Sequence, residues 1–308
     1  AIKALKVANI APTEIDLIIC TSSSPEYIWP PTACLIQDQI GATKAGAFDL
    51  QGVCTGFIYA TNMAAQSIRS GSIKNALVIG TETLSRFINW KDRSTCILFG
   101  DGAGAFVLQA SETPGGILSA VMRSDGSGAD SLILKGGGSR YPASETTLVE
   151  NKHYVEMDGK AVFRFATRVM GQAAKEALEK AGMTTDDIQW IVPHQANYRI
   201  IETAAKYLKM SLDKFVINVD RYGNTSTASI PIATVEAVEK GMIKNGDKIV
   251  LVGFGGGLTW GALVAEWTGP VPSKRNVYPE QYRFFARLRS LARRAFRYLE
   301  GLFSRREL

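Results

Sequence analysis

Three polar residues in this chain have the types and settings of groups that perform covalent and acid–base chemistry. Cys54 stands between an apolar segment, AGAFDL, and a segment of helical periodicity, TGFIYATNMAAQSIRS. At the start of a helix, unpaired N–H groups and the helix dipole favour a thiolate, the reactive form of cysteine. His194 follows the apolar segment IQWIV, and Asn224 lies in RYGNTSTAS. Each residue also has an ordinary interpretation: a buried core cysteine, a core or capping histidine, and a helix N-cap.

An internal repeat relates the elements that would position these residues. Residues 4–21, ALKVANIAPTEIDLIICT, align without a gap with residues 177–194, ALEKAGMTTDDIQWIVPH, a shift of 173 positions (177 − 4). Each segment is typical of a helix end, a turn, an acidic pair and a buried strand. Farther on, AGAFDLQGVCTGF resembles KFVINVDRYGNTSTAS, and NALVIGTETLS with GDGAGAFVLQ resembles DKIVLVGFGGGLTWGALVAEW. The chain is therefore predicted to be a tandem duplication of one α/β unit.

The repeat predicts the fold class and the place of the site. Continuous apolar strands such as DLIIC, ALVIG and KIVLV alternate with helices, as in parallel sheets that are covered on both faces. Two such units packed through their helices give an α/β fold layered α/β/α/β/α, with mixed, mainly parallel sheets. Ligands bind at the carboxyl ends of strands in open α/β sheets, where the three polar residues lie. We therefore expect Cys54, His194 and Asn224 to converge on one site.

The repeat also predicts how the chain is divided. The nucleophile-bearing half spans residues 1–113, the half with His194 and Asn224 spans 114–270, and a basic helical extension spans 271–308. The second half begins with a stretch, GGILSAVMRSDG through AVFRFATRVMGQAAKEAL, that has no counterpart before Ala1. We therefore expect a strand, a loop and a helix to precede Ala1 in the first half.

Composition and charge exclude several classes of protein. The chain has 308 residues, 46% hydrophobic and 21% charged, which is typical of a globular protein rather than a disordered one. The formal charge of +6 belongs to the extension: residues 271–308 hold ten Lys/Arg and three Asp/Glu, which leaves 25 against 26 in the body. That distribution does not favour a nucleic-acid groove. Four scattered cysteines and two histidines do not favour a metal centre or a disulfide framework, so we expect a cytoplasmic protein without a metal or cofactor.

Two glycine-rich stretches are predicted to be tight turns and not phosphate loops. FGDGAGA and FGGGLTWG lack the GxxxxGK[ST] pattern, and both lead into a strand and not a helix. The glycines of FGGGLTWG would let backbone N–H groups approach and point into a reacting centre.

Five motifs together carry a family resemblance. VPHQAN, GNTSTASIP, FGGGLTWG, DLQGVCTGF and FGDGAGA, in their spacing here, resemble 3-oxoacyl-[acyl-carrier-protein] synthase III, a condensing enzyme of the thiolase fold. The match covers about residues 4–268. VPHQAN followed by GNTS implies a Cys, His, Asn triad, whereas elongating condensing enzymes use two histidines.

The resemblance implies a decarboxylative Claisen condensation of a short acyl-CoA, with acetyl-CoA as the expected primer, and malonyl-acyl-carrier protein. Cys54 would be acylated, with the oxyanion held by the N–H groups of Cys54 and Gly256. His194 and Asn224 would then stabilise the enolate that forms on loss of CO₂.

Further site residues follow from the same resemblance. The residues that match CoA and pantetheine contacts are Arg93, Gly159, Ala196 and Asn197. Phe99 and Phe254 match residues beside the acyl pocket, and Trp29 matches a side chain that enters the neighbouring subunit's pocket, which implies a homodimer. Arg164, Arg199 and Lys206 match the docking site for the acyl-carrier protein, although a solvated helix face is the ordinary interpretation.

Two other functions and one segment stay open. A noncatalytic acyl-binding paralogue, or a related acyltransferase of a secondary-metabolite pathway, would share much of this sequence. Residues 281–308 repeat Phe285, Leu288, Ala292, Phe296, Leu299 and Phe303 at helical spacing among arginines. This amphipathic helix could contact a membrane surface or a partner protein, or pack on the body.

Overall fold

The computed structural model describes residues 1–270 and 276–304, and it divides the body into two related halves. The first half has four strands and three helices, in the order α1 (Ile2–Ala8), β1 (Leu17–Thr21), α2 (Thr32–Ile40), β2 (Gly46–Leu50), α3 (Gly56–Arg69), β3 (Asn75–Thr83) and β4 (Asp101–Gln109). Its strands form one sheet in the order β2-β1-β3-β4.

The second half repeats this plan with insertions. Its elements are β5 (Gly116–Ser124), β6 (Leu132–Leu134), α4 (Glu145–Val149), β7 (Val155–Met157), α5 (Gly159–Lys180), β8 (Trp190–Pro193), α6 (Tyr198–Leu208), α7 (Val219–Tyr222), α8 (Ser229–Glu239), β9 (Lys248–Gly255) and β10 (Thr259–Glu266). The main sheet has the order β5-β10-β9-β8, and β6 and β7 form a small separate pair.

The shift of 173 positions that relates the halves in sequence also relates them in structure. β3 begins at Asn75 and β9 at Lys248 (75 + 173), while α3 begins at Gly56 and α8 at Ser229 (56 + 173). The 3-10 turns that precede those helices, Val53–Thr55 and Ser226–Ala228, correspond in the same way. The predicted duplication is therefore confirmed at the level of individual turns.

The predicted layering is confirmed as well. α1 and α2 pack on the first sheet, α3 and α8 lie between the two sheets, and α5 covers the second sheet with α6 beside it. Three apolar clusters fill the spaces between these layers. The central cluster contains Phe57 and Ile58 of α3 and Ile230 of α8, all fully buried, which fixes the two helices that lead out of the matched turns.

The sheets are mixed, as predicted: the first sheet is mainly parallel, whereas the second is mainly antiparallel. β1 pairs in parallel with β2 and β3, and β8 with β9, whereas β3–β4, β9–β10 and β10–β5 are antiparallel. The glycine-rich turn between β9 and β10 is too short for the crossover that parallel strands require. The segment KFVIN, which was expected to form a strand, makes a single bridge from Phe215 to Ile191.

The outer edge of β4 is the position to which the repeat assigns a further strand. In the second sheet β5 occupies the corresponding edge of β10, and the described residues place no strand beside β4. A groove of about 1230 Å³ runs there, lined by residues of β4, α1 and α8. That a strand, loop and helix precede Ala1 stays a prediction, as does the division at residues 113 and 270.

The extension contains one long helix, α9 (Pro279–Ser304), as the amphipathic pattern predicted. It packs against α1 and α2 of the first half. The parts of the predicted extension at 271–275 and 305–308, and the side chain of Phe303, lie outside the described residues. Within the described part of the chain, no helix is both long enough and apolar enough to cross a membrane.

The two halves meet in a close contact, called the seam here, where Gly80 of β3 faces Thr227 of the turn Ser226–Ala228. We therefore expect the free energy of unfolding to be sensitive to substitution of Gly80. A Cβ added there would lie 2.7 Å from the carbonyl oxygen of Thr227, so Gly80→Ala must push the two halves apart. We expect a loss of about 1–3 kcal/mol in the free energy of unfolding, measured by urea denaturation. Gly126→Ala is the matched control, because a Cβ at Gly126 meets no heavy atom within 4 Å. Equal effects of the two substitutions would contradict the tight seam.

Candidate active site

Cys54 lies in the 3-10 turn Val53–Thr55, directly before α3. Val53 adopts a φ of 48°, a left-handed conformation that is strained for a β-branched residue. The Thr55 hydroxyl donates to the Gly52 carbonyl at 2.6 Å and lies 2.8 Å from the Thr259 hydroxyl, which ties this turn to the start of β10. The strained turn places Cys54 at the buried start of α3, between the two sheets.

Burial is the largest influence on the pKa of Cys54. Desolvation raises the pKa of the thiol to about 12, and the nearby Glu82 carboxylate adds to the effect. The Ser226 hydroxyl donates to the Cys54 sulfur at 3.3 Å and offsets only part of that shift. Burial therefore opposes the thiolate that the start of a helix favours.

His194 ends β8 and is held through its ring by Ser229. Its Nδ1 lies 2.6 Å from the Ser229 hydroxyl oxygen, which also accepts a hydrogen bond from the Gln195 backbone N–H at 3.3 Å. The Ser229 hydroxyl has one proton to donate, and among the described residues His194 Nδ1 is the acceptor for it. We assign the proton of the neutral ring to Nε2 on this basis, which makes Nε2 a hydrogen-bond donor.

The Nε2 atom of His194 is buried and has no hydrogen-bond partner among the described residues. Burial lowers the pKa of the ring to about 3, so the imidazole is neutral at physiological pH. Leaving such a donor unpaired costs about 1–3 kcal/mol, and an oxygen atom of a bound molecule would remove that cost. His194 therefore offers the site a neutral donor that no described residue uses.

Asn224 is fixed by its backbone and by one side of its amide. Its N–H donates to the Leu98 carbonyl at 2.8 Å, and the adjacent bridge pairs it with Phe99. Its Oδ1 accepts from the Ser226 N–H at 2.8 Å, which is the capping type of role that the sequence left open. Because Oδ1 serves the turn, the Nδ2 donor of the same amide is available for a second task.

Ser226 joins two of the three predicted residues. Its N–H binds Asn224 and its hydroxyl binds Cys54. It also adopts a φ of 48°, the same value as its repeat partner Val53 (53 + 173). The two strained turns therefore bring Cys54 and Asn224 to one place.

The repeat relation brings His194 to the same place. Cys54 corresponds to Thr227 (54 + 173), and His194 corresponds to Thr21 (194 − 173), so the pair Cys54/His194 is mirrored by the pair Thr227/Thr21. The hydroxyl oxygens of that second pair are 2.7 Å apart. Strand β9 gives independent support: a Cβ on Gly253 would lie 3.3 Å from the His194 Cβ, and one on Gly255 would lie 2.8 Å from the Cys54 nitrogen. Residues two apart on a strand face the same side, so Cys54 and His194 are neighbours along β9.

Three residues that shape the site were not predicted from the sequence. Ser226 and Ser229 belong to GNTSTASIP, and their position beside Asn224 was the signal that could have found them. Glu82 is buried and accepts hydrogen bonds from the Ser24 hydroxyl at 2.6 Å and the Ser23 N–H at 3.0 Å. Burial raises the pKa of Glu82, and no spacing in the sequence points to it.

Comparisons with known proteins place this geometry in a family. The models for 3-oxoacyl-[acyl-carrier-protein] synthase III and for its C-terminal part match residues 48–126 and 178–267. The beta-ketoacyl-[acyl-carrier-protein] synthase III of Desulfitobacterium hafniense (strain Y51) is 51% identical over 277 residues, 90% of this chain and 82% of the relative. This chain belongs to the 3-oxoacyl-[acyl-carrier-protein] synthase III family.

Further relatives agree with this assignment. The enzyme of the same description from Clostridioides difficile (strain 630) is 51% identical over 268 residues, 87% of this chain and 81% of that relative. The crystal structure of 3-oxoacyl-[acyl-carrier-protein] synthase III from Aquifex aeolicus VF5 superposes with a TM-score of 0.79 and 44% identity, covering 87% of this chain and 82% of that one. The resemblance, the thiolase-like fold and the acyltransferase class are thereby confirmed.

The residues that the synthase III resemblance assigns to substrates lie in three places. Gly256 is in the turn after β9, and Phe254 is buried with its ring 5.3 Å from that of His194. Gly159 begins α5, while Ala196 and Asn197 lie between His194 and α6, with Asn197 capping that helix at 2.9 Å. Of these residues, Phe254 and Ala196 contact His194 directly.

Arg93 and Trp29 stand apart from the buried residues. Arg93 lies in an exposed loop before Phe99, and Trp29 lies in the loop before α2 with 80% of its surface exposed. No described hydrogen bond or ring contact joins either side chain to Cys54, His194 or Asn224.

The predicted docking residues for the carrier protein lie on two adjacent helices. Arg164 is exposed on α5, and Arg199 and Lys206 are exposed on the adjacent helix α6. Lys206 pairs with Glu202 at 3.0 Å, an exposed ion pair that is worth only a few tenths of a kcal/mol. That pair is too weak to hold Lys206 from an acidic partner.

The raised pKa of Cys54 predicts the pH dependence of its alkylation. Only the thiolate reacts, and its fraction grows tenfold for each pH unit below the pKa. Iodoacetamide should therefore modify Cys54 slowly at neutral pH and ever faster as the pH rises toward about 12. Peptide mapping by mass spectrometry measures the rate at this residue, with Cys54→Ser as the blank. A rate that levels off below about pH 8, near the ordinary thiol pKa, would contradict the effect of burial.

Proposed function

We propose that this chain catalyses the initiating condensation of fatty acid synthesis with acetyl-CoA as the primer and malonyl-acyl-carrier protein as the extender, through Cys54, His194 and Asn224. Family membership supports the reaction. The observation that carries the assignment of residues is Ser226, which binds both Cys54 and Asn224 beside the strand that contacts His194.

In the first half-reaction the Cys54 sulfur attacks the thioester carbonyl of the acyl-CoA. A new carbon–sulfur bond forms, the bond to the CoA sulfur breaks, and the proton lost by Cys54 ends on the CoA thiol. The developing oxyanion is held by the N–H groups of Cys54 and Gly256. The close contact of Gly255 with the Cys54 nitrogen supports this arrangement, because it keeps the two donors in one small volume.

In the second half-reaction the malonyl thioester oxygen accepts hydrogen bonds from His194 Nε2 and Asn224 Nδ2. These bonds strengthen as CO₂ leaves and negative charge moves onto that oxygen. The resulting carbanion attacks the acyl carbonyl, and the Cys54 sulfur departs. A neutral ring with its proton on Nε2 suits this donor role, and the steps use only groups of this chain and its two substrates.

The binding surfaces complete the proposal. Arg93, Gly159, Ala196 and Asn197 contact CoA and pantetheine, and Phe99 and Phe254 line the acyl pocket. Arg164, Arg199 and Lys206 dock the acidic carrier protein. The four free cysteines support a reducing compartment, the cytoplasm. The sequence does not decide whether residues 281–308 contact a membrane or a partner protein.

A homodimer is part of the same proposal. Tyr27, Ile28 and Trp29 are three successive apolar side chains that are exposed in the single chain. Such a group is typical of a surface that another subunit covers. Trp29 would then enter the partner's acyl pocket and close its end.

Substitutions should separate the two half-reactions. His194→Ala and Asn224→Ala should still be acylated by acetyl-CoA but lose condensation by about 10²-fold or more, because their donors act on the malonyl group. Ser229→Ala should keep acylation and lose condensation, as His194→Ala does. Ser226→Ala should instead slow acylation of Cys54. Intact-protein mass spectrometry reports acylation, and CO₂ release from malonyl-carrier protein reports condensation. Equal losses in both half-reactions for all four variants would assign these residues a merely structural role.

The length of the acyl chain that the pocket accepts should depend on Trp29. An indole that closes the pocket favours acetyl- and propionyl-CoA, since overpacking a filled cavity costs about 1–3 kcal/mol. Trp29→Ala should extend the accepted chain length and leave acetyl transfer nearly unchanged. Ile28→Ala is the matched control, because Ile28 is as exposed as its neighbour. If the wild-type enzyme accepts octanoyl-CoA as well as acetyl-CoA, Trp29 does not close the pocket.

A further inference from the structure

Helix α9 is fixed to the body along one side of its first half. The Val277 N–H donates to Asn9 Oδ1 at 2.7 Å, Glu280 pairs with Lys6 at 3.4 Å, and Arg289 pairs with Asp38 at 3.2 Å. Between these contacts Ala286 is buried against the turn at Gly41. The direction of the helix is therefore set by the first half of the protein.

The side of α9 that turns away from the body is apolar. Exposed large apolar side chains recur at helical spacing: Phe284, Phe285, Leu288, Leu291, Phe296 and Leu299, with exposed fractions of 59%, 65%, 49%, 61%, 63% and 50%. At 100° per residue these positions form a strip whose centre falls roughly opposite Ala286. The strip runs over 16 residues, Phe284 to Leu299, about 22 Å at 1.5 Å per residue step. An apolar strip of this length that is exposed to water is typical of a surface that binds another molecule or a membrane.

The rest of the projecting helix is cationic. Residues 281–300 hold six arginines and one acidic residue, Glu300. Every residue from 291 to 300 is exposed, so Arg293, Arg294 and Arg297 stand free of the body. At 100° per residue Arg293 and Arg294 fall on the two borders of the apolar strip, and Arg297 falls on the face opposite it. The C-terminal family model ends at residue 267, so the helix lies outside the region matched by that model.

We propose that α9 binds an anionic membrane surface, with its apolar strip among the acyl chains and its arginines at the phosphate groups. A large apolar face bordered by arginines is the pattern of helices that lie in the interfacial plane. The acidic carrier protein fits the charges, but its predicted docking residues are on α5 and α6, whereas α9 packs on α1 and α2. A second copy of the chain fits less well, because pairing two α9 helices would bring their arginines together and like charges repel each other. This proposal goes beyond the condensation reaction and does not depend on it.

Vesicle flotation of the full chain tests the proposal. We expect the protein to float with vesicles of phosphatidylglycerol and phosphatidylcholine in equal parts, and not with phosphatidylcholine alone. Added salt should weaken the binding, since exposed charges are screened. Leu288→Glu/Phe296→Glu should abolish flotation, and Arg293→Gln/Arg294→Gln should weaken it roughly 25-fold at low salt, about fivefold per charge.

The matched control is Leu148→Glu/Val149→Glu, which places two carboxylates on exposed apolar positions of α4. It should float as the wild type does, and all variants should keep their thermal melting and their acylation by acetyl-CoA without vesicles. Absence of flotation for the wild type, or loss in the control variant, overturns the proposal. It is also overturned if Leu288→Glu/Phe296→Glu changes instead the sedimentation of the protein alone or its binding to carrier protein, which would assign the strip to a second copy or to that partner.

Discussion

The close packing of two matched turns, Val53–Thr55 and Ser226–Ala228, is the constraint on which the site depends. Each turn begins with a residue at a φ of 48° and leads into a central helix. They approach so closely that Gly80 and Gly255 have no room for a Cβ. Because interiors are close-packed, such contacts fix positions to a fraction of an ångström. The same geometry that holds the halves together thus sets the distances among the reacting groups.

Burial at this seam keeps the proposed catalytic groups neutral. Desolvation raises the pKa of Cys54 to about 12 and lowers that of His194 to about 3. A thiol and a neutral imidazole carry little cost in an apolar interior, whereas the charged forms would be expensive. The unpaired His194 Nε2 is the remaining cost, and it is removed when an oxygen binds. Interaction energy is thereby kept for the charge that develops during reaction.

The sequence predicted what depends on pattern and missed what depends on packing. Alternating apolar strands and helices, and the shift of 173 positions, were enough for the layers and for the convergence of Cys54, His194 and Asn224. The burial that opposes a Cys54 thiolate was missed because a helix N-terminus is visible in sequence, while the depth of burial is not. The tight turn and returning strand of β9–β10 were predicted, but the antiparallel pairing of β5 with β10 was not, because it joins segments that are distant in sequence. Glu82 acts through contacts with a segment that is distant in sequence, which no local spacing encodes, whereas Ser229 lies in the GNTSTASIP motif beside Asn224.

The duplication also explains why one half reacts and the other supports it. The counterpart of Cys54 is Thr227 and that of His194 is Thr21, and these two threonines bind each other at 2.7 Å in complete burial. The Thr21 hydroxyl also lies 3.2 Å from the Ile79 carbonyl oxygen, whose counterpart, the Val252 carbonyl, accepts the His194 N–H at 2.7 Å. In one copy of the arrangement both threonine hydroxyls are hydrogen-bonded internally. In the other copy Nε2 of the larger imidazole has no hydrogen-bond partner among the described residues, so the same backbone frame holds an open hydrogen-bonding position beside a thiol.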